Sequence, residues 1–347
     1  MSLQTVLDKL PNFKSDEIIK SFVKGYSIIN NPMYKKPICS ISGGSDSDIM
    51  LDIIYRIDEQ KKVQYVWFDT GLEYKATKEH LKYLENRYDI EIRRERAVKP
   101  IPVCTREYGQ PFLSKYVSDH IGRLQAVDFK WEDKPLEILI NEYPNVKGSL
   151  NWWCNNNNKQ SFIDRNANEN DGASMFDINR YKWLKEFLIL YPPTFNISAK
   201  CCDWAKKKIS KKIIQNEGYD LSIIGVRKAE GGIRASAYKN CYSSGEGKVD
   251  QYRPLFWFKQ CDKEVYEKAF DIKHSDCYCK YGFVRTGCVC CPYGRELQFE
   301  LKQTKQYEPN MYKAVNNVFK ESYEYTRQYR QFVKEMNDRQ KGRKKLF

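Results

Sequence analysis

The segment Ile38-Cys39-Ser40-Ile41-Ser42-Gly43-Gly44-Ser45-Asp46-Ser47-Asp48-Ile49-Met50-Leu51 constrains the fold more than any other stretch of the chain. Its apolar start reads as a short buried strand and Ser-Gly-Gly as a turn. Ile49, Met50, Ile53 and Ile54 then form the apolar stripe of a helix, with Asp46 or Ser47 as its N-cap. Paired glycines let the backbone approach a ligand closely, and the first helical amides point their N–H groups at it. The helix dipole adds to the attraction, so such a turn favours an anion such as phosphate. Two other phosphate loops are excluded: no Lys-Ser or Lys-Thr follows at the Walker offset, and the dinucleotide fingerprint needs a third glycine. The competing reading is an ordinary glycine-rich turn.

The rest of the chain repeats the alternation that this turn begins. Val63-Gln64-Tyr65-Val66-Trp67-Phe68 reads as a buried strand closed by Asp69-Thr70-Gly71, Thr77 to Arg87 as a helix, and Ile90-Glu91-Ile92 as a strand. Leu221 to Arg227 resumes strand character, and Trp183 to Tyr191 reads as a helix ended by Pro192-Pro193. The expectation is an α/β fold, doubly wound on a mostly parallel sheet. Three consecutive parts follow: an N-terminal helical segment over 1–36, an α/β domain over 37–250 with an irregular insertion at 129–175, and a cysteine-rich, helical region over 251–347 with a basic tail. The aromatics of that last region, Tyr307, Tyr312, Phe319, Tyr323, Tyr325, Tyr329 and Phe332, are spaced for helix packing rather than for stacking on bases.

With 347 residues, a mean hydropathy of −0.71, no bilayer-length apolar run and no signal-peptide core, the chain is expected to be cytoplasmic, with no membrane partner. Twelve cysteines in that setting argue for metal or redox chemistry rather than a disulfide framework. The net charge of +14, from 59 Lys and Arg against 45 Asp and Glu, fits either a solubilising surface or a nucleic-acid partner.

In open α/β sheets ligands lie outside the carboxyl ends of the strands. The Ser42–Ser47 turn, the Asp69-Thr70-Gly71 turn and Gly225-Val226-Arg227-Lys228-Ala229-Glu230-Gly231-Gly232-Ile233-Arg234 all sit at such ends. Arg227 and Arg234 are suited to bidentate recognition of phosphate or sulfate. Ser42-Gly43-Gly44-Ser45-Asp46-Ser47 resembles the pyrophosphate loop (PP-loop) of the adenine-nucleotide α-hydrolase superfamily. Taken with the Asp-Thr-Gly turn, the Gly-x-Arg-x-x-Glu…Arg segment and Arg253-Pro254-Leu255…Trp257…Asp262, the order is similar to that of the phosphoadenosine-phosphosulfate (PAPS) reductase family. The resemblance implies that Ser42, Gly43, Gly44, Ser45, Asp46 and Ser47 cradle phosphates. It also implies that Asp69, with Thr70 and Gly71, faces the adenosine. Arg227 and Arg234 would hold the outer anion, and Asp46, Arg227 and Arg234 form the candidate catalytic set.

Cys201-Cys202, followed far downstream by Cys288-Val289-Cys290-Cys291, resembles the [4Fe–4S] arrangement of adenylylsulfate (APS) reductases. Lysines 206 to 208 are similar to the basic residues of that family. The resemblance implies cluster ligation by Cys201, Cys202, Cys288 and Cys291. A structural zinc on Cys277, Cys279, Cys288 and Cys291 is the rival, although Cys-x-Cys is tighter than usual zinc spacing. Buried, metal-free thiols are the third reading. Cys290 is either a bystander or a persulfide carrier, and Cys39, Cys104, Cys154, Cys241 and Cys261 are packing residues.

The sequence departs from the reductases in having no cysteine after Cys291, where that family carries a Glu-Cys-Gly nucleophile, and in placing Ser at position 45, where many relatives have Lys. An unbroken phosphate cradle fits ATP. The expected activity is therefore cleavage of ATP to AMP and pyrophosphate, activating an acceptor for sulfur transfer by adenylating it, with Mg²⁺ assisting. The expected acceptor is a nucleic acid (tRNA or DNA), with a sulfur donor or redox protein as partner. The alternatives are an APS or PAPS reductase with another reductant, and a non-catalytic nucleotide-binding subunit of a nucleic-acid complex.

Overall fold

The computed structural model describes every residue except 1–2, 9, 12, 14, 157–175, 232–236, 246–247 and 345–347. At its centre lies β1 (Pro37–Ser40), in which Ile38 and Cys39 are buried. On one side it pairs in parallel with β2 (Gln64–Asp69), Ile38 opposite Gln64, and β2 pairs in parallel with β3 (Ile92–Arg96). On the other side β1 pairs in parallel with β4 (Leu221–Ile224), Ile38 opposite Ser222. Beyond β4 come β6 (Lys248–Tyr252), parallel, and β5 (Tyr242–Gly245), antiparallel to β6. The order β3-β2-β1-β4-β6-β5 reverses direction at β1, so a switch point opens between the carboxyl ends of β1 and β4. The expected mostly parallel α/β sheet is present.

The chain forms two units that are interleaved in sequence rather than three consecutive parts. The first holds residues 1–100, 204–289 and 302–311; the second holds 101–203, 290–301 and 312–347. In the first unit, α1 (Leu3–Asp8) and α2 (Asp16–Ile29) share one apolar core with the sheet, through Val6, Ile18, Phe22 and Ile29. That core also takes nearly every apolar side chain of α3 (Ser45–Ile57): Ile49, Met50, Leu51, Ile53 and Ile54 are fully buried. Each such side chain contributes about 1.5–3 kcal/mol by leaving water.

One face of α3 is instead a polar spine at four-residue spacing, the fully buried Asp48 and Asp52 and the half-buried Arg56. Asp52 accepts hydrogen bonds from Tyr88 Oη (2.9 Å), Tyr266 Oη (2.5 Å) and Arg56 Nε (2.7 Å), so its buried charge is fully partnered. The Arg56 guanidinium lies 3.9 Å from the centre of the Phe270 ring.

Two expectations need correction. The third strand begins at Ile92, not Ile90, because α4 (Lys75–Tyr88) ends with Asp89 in the left-handed region and the Ile90 amide donates back to Glu85. The described part of the expected irregular insertion contains helices Leu136–Glu142 and Lys147–Trp153, and it is core rather than loop. Trp152 and Trp153 are fully buried there, and Trp153 Nε1 donates to the Glu132 carbonyl (3.0 Å). Its remainder, 157–175, lies outside the described residues.

The second unit packs these tryptophans with Phe112, Phe187 and helix Lys320–Lys344, which contributes Tyr325, Tyr329 and Phe332 to the same core. Those C-terminal aromatics are thus packing residues, as their spacing predicts. Burial pushes the His120 imidazole, stacked on Trp152, down to about 4. Among the described residues no helix is long and apolar enough to cross a membrane.

Replacing the fully buried Ile54 by alanine should cost about 2–5 kcal/mol. Urea unfolding should show a lowered midpoint with an unchanged m-value; an unaltered midpoint would contradict the packing of α3.

Candidate active site at the strand ends

The loop after β1 adopts its shape through its own hydroxyls. Ser47 Oγ accepts from the Ser42 N–H (2.9 Å), and Ser42 Oγ accepts from the Gly44 N–H (3.3 Å). Gly43 sits at φ +69, and a side chain there would also strike Thr77 Cγ2 at 2.8 Å, so both backbone and space require glycine. At Gly44 an added Cβ would lie 3.2 Å from both the Tyr278 and Thr286 hydroxyls. The helix starts at Ser45 with Gly44 as N-cap, two or three residues ahead of the expected Asp46 or Ser47. That register leaves the Asp46 side chain to other work.

Asp46 receives two cations from elsewhere in the first unit. Arg227 Nε, at the end of β4, donates to Oδ2 (3.0 Å), and Lys263 Nζ, on helix Gln260–Ala269, lies 2.7 Å from Oδ1. Burial alone would raise the Asp46 carboxyl, but Lys263 and Arg227 outweigh it and hold the group below the usual carboxylate range. Lys263 Nζ also donates to Ser45 Oγ (2.8 Å), and the Ser45 N–H donates to Tyr278 Oη (3.1 Å). The Tyr278 and Thr286 hydroxyls are 3.1 Å apart.

Behind this layer, the fully buried Asp48 lies 2.7 Å from His274 Nδ1 and 3.0 Å from His80 Nε2; His274 Nε2 reaches Glu267 at 3.0 Å. Burial favours the neutral His274 ring, but hydrogen bonds to Asp48 and Glu267 outweigh it and push the imidazole up to about 9. His274 is therefore cationic at neutral pH.

The second turn is held internally. Asp69 Oδ1 accepts from the Gly71 N–H (2.8 Å), so its carboxylate caps its own turn. Thr70 Oγ1 donates to Glu73 Oε1 (2.5 Å), and burial pushes the Glu73 carboxyl above its ordinary range. Thr70 Oγ1 also lies 3.8 Å from Cys288 Sγ. Arg234 lies outside the described residues. Of the expected site residues, the structure thus gathers Ser42 to Ser47 with Arg227, and engages Asp69, Thr70 and Gly71 within one turn.

Cys201 is buried and Cys202 and Cys291 half-buried in the second unit, while the half-buried Cys288 belongs to the first. Burial raises the Tyr293 phenol well above its ordinary value, and the nearby Cys201, Cys202 and Cys291 add to the effect. Thiols alone are a donor chemistry that suits either an iron–sulfur cluster or a zinc ion. Among the described residues no three His, Cys, Asp or Glu side chains form a group that could hold a single metal ion. Of the rival zinc set, Cys277 contacts Thr77 Oγ1 (3.8 Å), while Cys279 is exposed and donates to the His274 carbonyl (3.6 Å).

Sequence reasoning missed Lys263, Tyr278, His274 and the role of Asp48. Only the scarcity of histidine was a signal: of three in the chain, two meet at Asp48.

Residues 36–112, less than a quarter of the chain, match the model of the phosphoadenosine phosphosulfate reductase domain. No curated protein matches the chain by sequence. Among solved structures, a phosphoadenylyl-sulfate reductase from Candida auris in a phosphate complex is 11% identical over 83% of this chain and 96% of its own (TM-score 0.38). A U34-tRNA thiolase from Methanococcus maripaludis, solved with its [4Fe–4S] cluster, is 13% identical over 91% and 79% (TM-score 0.36). An NH3-dependent NAD synthetase from Campylobacter jejuni is 12% identical over 94% and 96% (TM-score 0.32). Likenesses this loose assign no residue.

The His274 contacts carry a pH signature. An imidazole whose value rises from 6.5 unfolded to about 9 folded stabilises the protein fully below pH 6.5 and loses that contribution as pH climbs through 9. The effect is of the order of 3 kcal/mol. Melting temperatures followed from pH 6 to pH 10 should fall more steeply for the wild type than for His274→Gln, and parallel curves would contradict the ion pairs.

Proposed function

We propose, for a chain whose residues 36–112 are a phosphoadenosine phosphosulfate reductase domain, that the Ser42–Ser47 loop binds the phosphates of ATP and that the enzyme transfers AMP to an acceptor oxygen. The acceptor oxygen attacks the α-phosphorus, the bond to the bridging oxygen breaks, and pyrophosphate leaves with the electron pair. A sulfur nucleophile then displaces AMP from the activated carbon. The observation that carries this reading is the loop itself, a glycine turn at the β1/β4 switch point. There the Ser45 amide, the α3 N-terminus and two cations, Arg227 and the buried Lys263, meet around Asp46.

In this reading the amides orient the β- and γ-phosphates, and Arg227 faces the charge that builds on the departing pyrophosphate. Mg²⁺ enters on the nucleotide's own phosphates. Cys201, Cys202, Cys288 and Cys291 are the proposed holders of a [4Fe–4S] cluster, on their sequence pattern and thiol-only chemistry. When bound, such a cluster supplies a soft centre suited to sulfur. The net charge of +14 supports a nucleic-acid acceptor, tRNA or DNA. The family match itself supports a second reading, reduction of APS or PAPS to sulfite.

The test incubates anaerobically purified protein with MgATP and tRNA or DNA, and separately with each sulfonucleotide and a dithiol. Pyrophosphate and AMP formation supports adenylation, and sulfite the second reading; nucleotide binding without any product would leave a non-catalytic nucleotide-binding subunit. Asp46→Ala should lower turnover about 100-fold or more by releasing both cations from their positions. Unchanged turnover in a folded variant would remove Asp46 from the catalytic set.

Iron and sulfide analysis should return about four irons per chain, falling sharply in Cys201→Ser/Cys202→Ser. Zinc without iron would reject the cluster.

A further inference from the structure

The segment from Ser42 to Asp48 contains two carboxylates and no cation. A polyphosphate meeting this loop finds amides and a helix N-terminus, but also formal negative charge, and the segment itself carries nothing to offset it. We propose that Lys263, brought in from helix Gln260–Ala269, is the phosphate-binding cation that the loop lacks. This assignment rests on the adenine-nucleotide reading above and adds a residue to it.

Three observations converge on Lys263. The residue is only 5% exposed, and its ammonium lies 2.7 Å from Asp46 Oδ1 and 2.8 Å from Ser45 Oγ. Dehydrating a lysine is costly, so its placement here must be offset by partners. Arg227 Nε also binds the Asp46 carboxylate, at 3.0 Å, so Asp46 keeps a cation when the Lys263 ammonium turns to another anion. The contact with Ser45 sets the ammonium beside the residue whose amide points out of the loop.

That amide marks where a phosphate oxygen sits. The Ser45 N–H donates to the Tyr278 hydroxyl, which shares a second hydrogen bond with Thr286, and a Cβ added at Gly44 would lie 3.2 Å from both hydroxyls. The phenol oxygen thus takes the acceptor position that a phosphate oxygen would fill, one residue from the buried ammonium. The helix carrying Lys263 is fixed at its start: Asp262 accepts from its own N-cap, the Lys259 N–H (2.7 Å), and from Ser15 Oγ (2.6 Å). Lysine's compact charge on a flexible stem can swing from Asp46 to an arriving phosphate without moving the helix.

The experiment measures binding of MgATP and of inorganic pyrophosphate to the full-length protein by calorimetry. Lys263→Gln should weaken both about 10- to 100-fold. Adding Ser45→Lys to that variant, which returns a cation to the loop from its own backbone, should restore most of the loss. Wild-type protein that binds neither probe overturns the nucleotide reading and this assignment together. Wild-type protein that binds, with Lys263→Gln binding equally well, overturns this assignment alone. Loss in Lys263→Gln without recovery in the double variant also counts against a phosphate-binding role. Should the variants not fold, amine-reactive labelling of the unsubstituted protein and peptide mapping decide. MgATP should slow modification of Lys263, and an unchanged rate overturns the proposal.

Discussion

The ion triad of Arg227, Asp46 and Lys263 is the contact on which the candidate site depends. It joins three stretches far apart in sequence: the first turn of α3, the end of β4 and helix Gln260–Ala269. The triad holds the partly buried Asp46 carboxylate through both oxygens, Arg227 Nε 3.0 Å from Oδ2 and Lys263 Nζ 2.7 Å from Oδ1. It also places two cations at the mouth of a loop whose own residues are acidic or neutral.

Behind the triad, α3 uses one face for apolar packing and another for buried charge. Asp48 and Asp52 are one helical turn apart, and each is met by side chains that follow helix Gln260–Ala269 or lie on it, His274 and Tyr266 respectively. Since Lys263 also comes from this helix, the helix that reaches the Ser42–Ser47 loop is the one that satisfies the spine of α3. Charge changes in the spine will be felt at the loop because the same helix carries both sets of contacts.

The parts legible in the sequence are those whose signal is local. The β1 strand, its glycine turn and α3 announce themselves in fourteen consecutive residues, and the match over residues 36–112 coincides with that stretch and the two strands that follow. The Asp69 turn was legible as a turn, yet its carboxylate binds the Gly71 amide rather than projecting as a free group. The interleaving of the two units was not legible, because hydrophobic periodicity gives an element's type and not its neighbours. The tryptophans of helix Lys147–Trp153 illustrate the same limit. Their polar surroundings in sequence suggested an irregular loop, whereas the aromatic core they enter is assembled from segments as distant as Tyr325 and Phe332.

The sequence by itself determined an α/β sheet with a glycine turn into a helix at the end of its first strand, since strand periodicity, glycine and helix starts are short-range properties of the chain. Tertiary structure alone decided which cations serve that turn, that Tyr278 stands at its mouth, and that two of the three histidines share one buried carboxylate. Lys263 and Tyr278 lie more than two hundred residues from the loop they touch. No local pattern encodes such a meeting; it follows from strand order and from the need of buried charges to find partners.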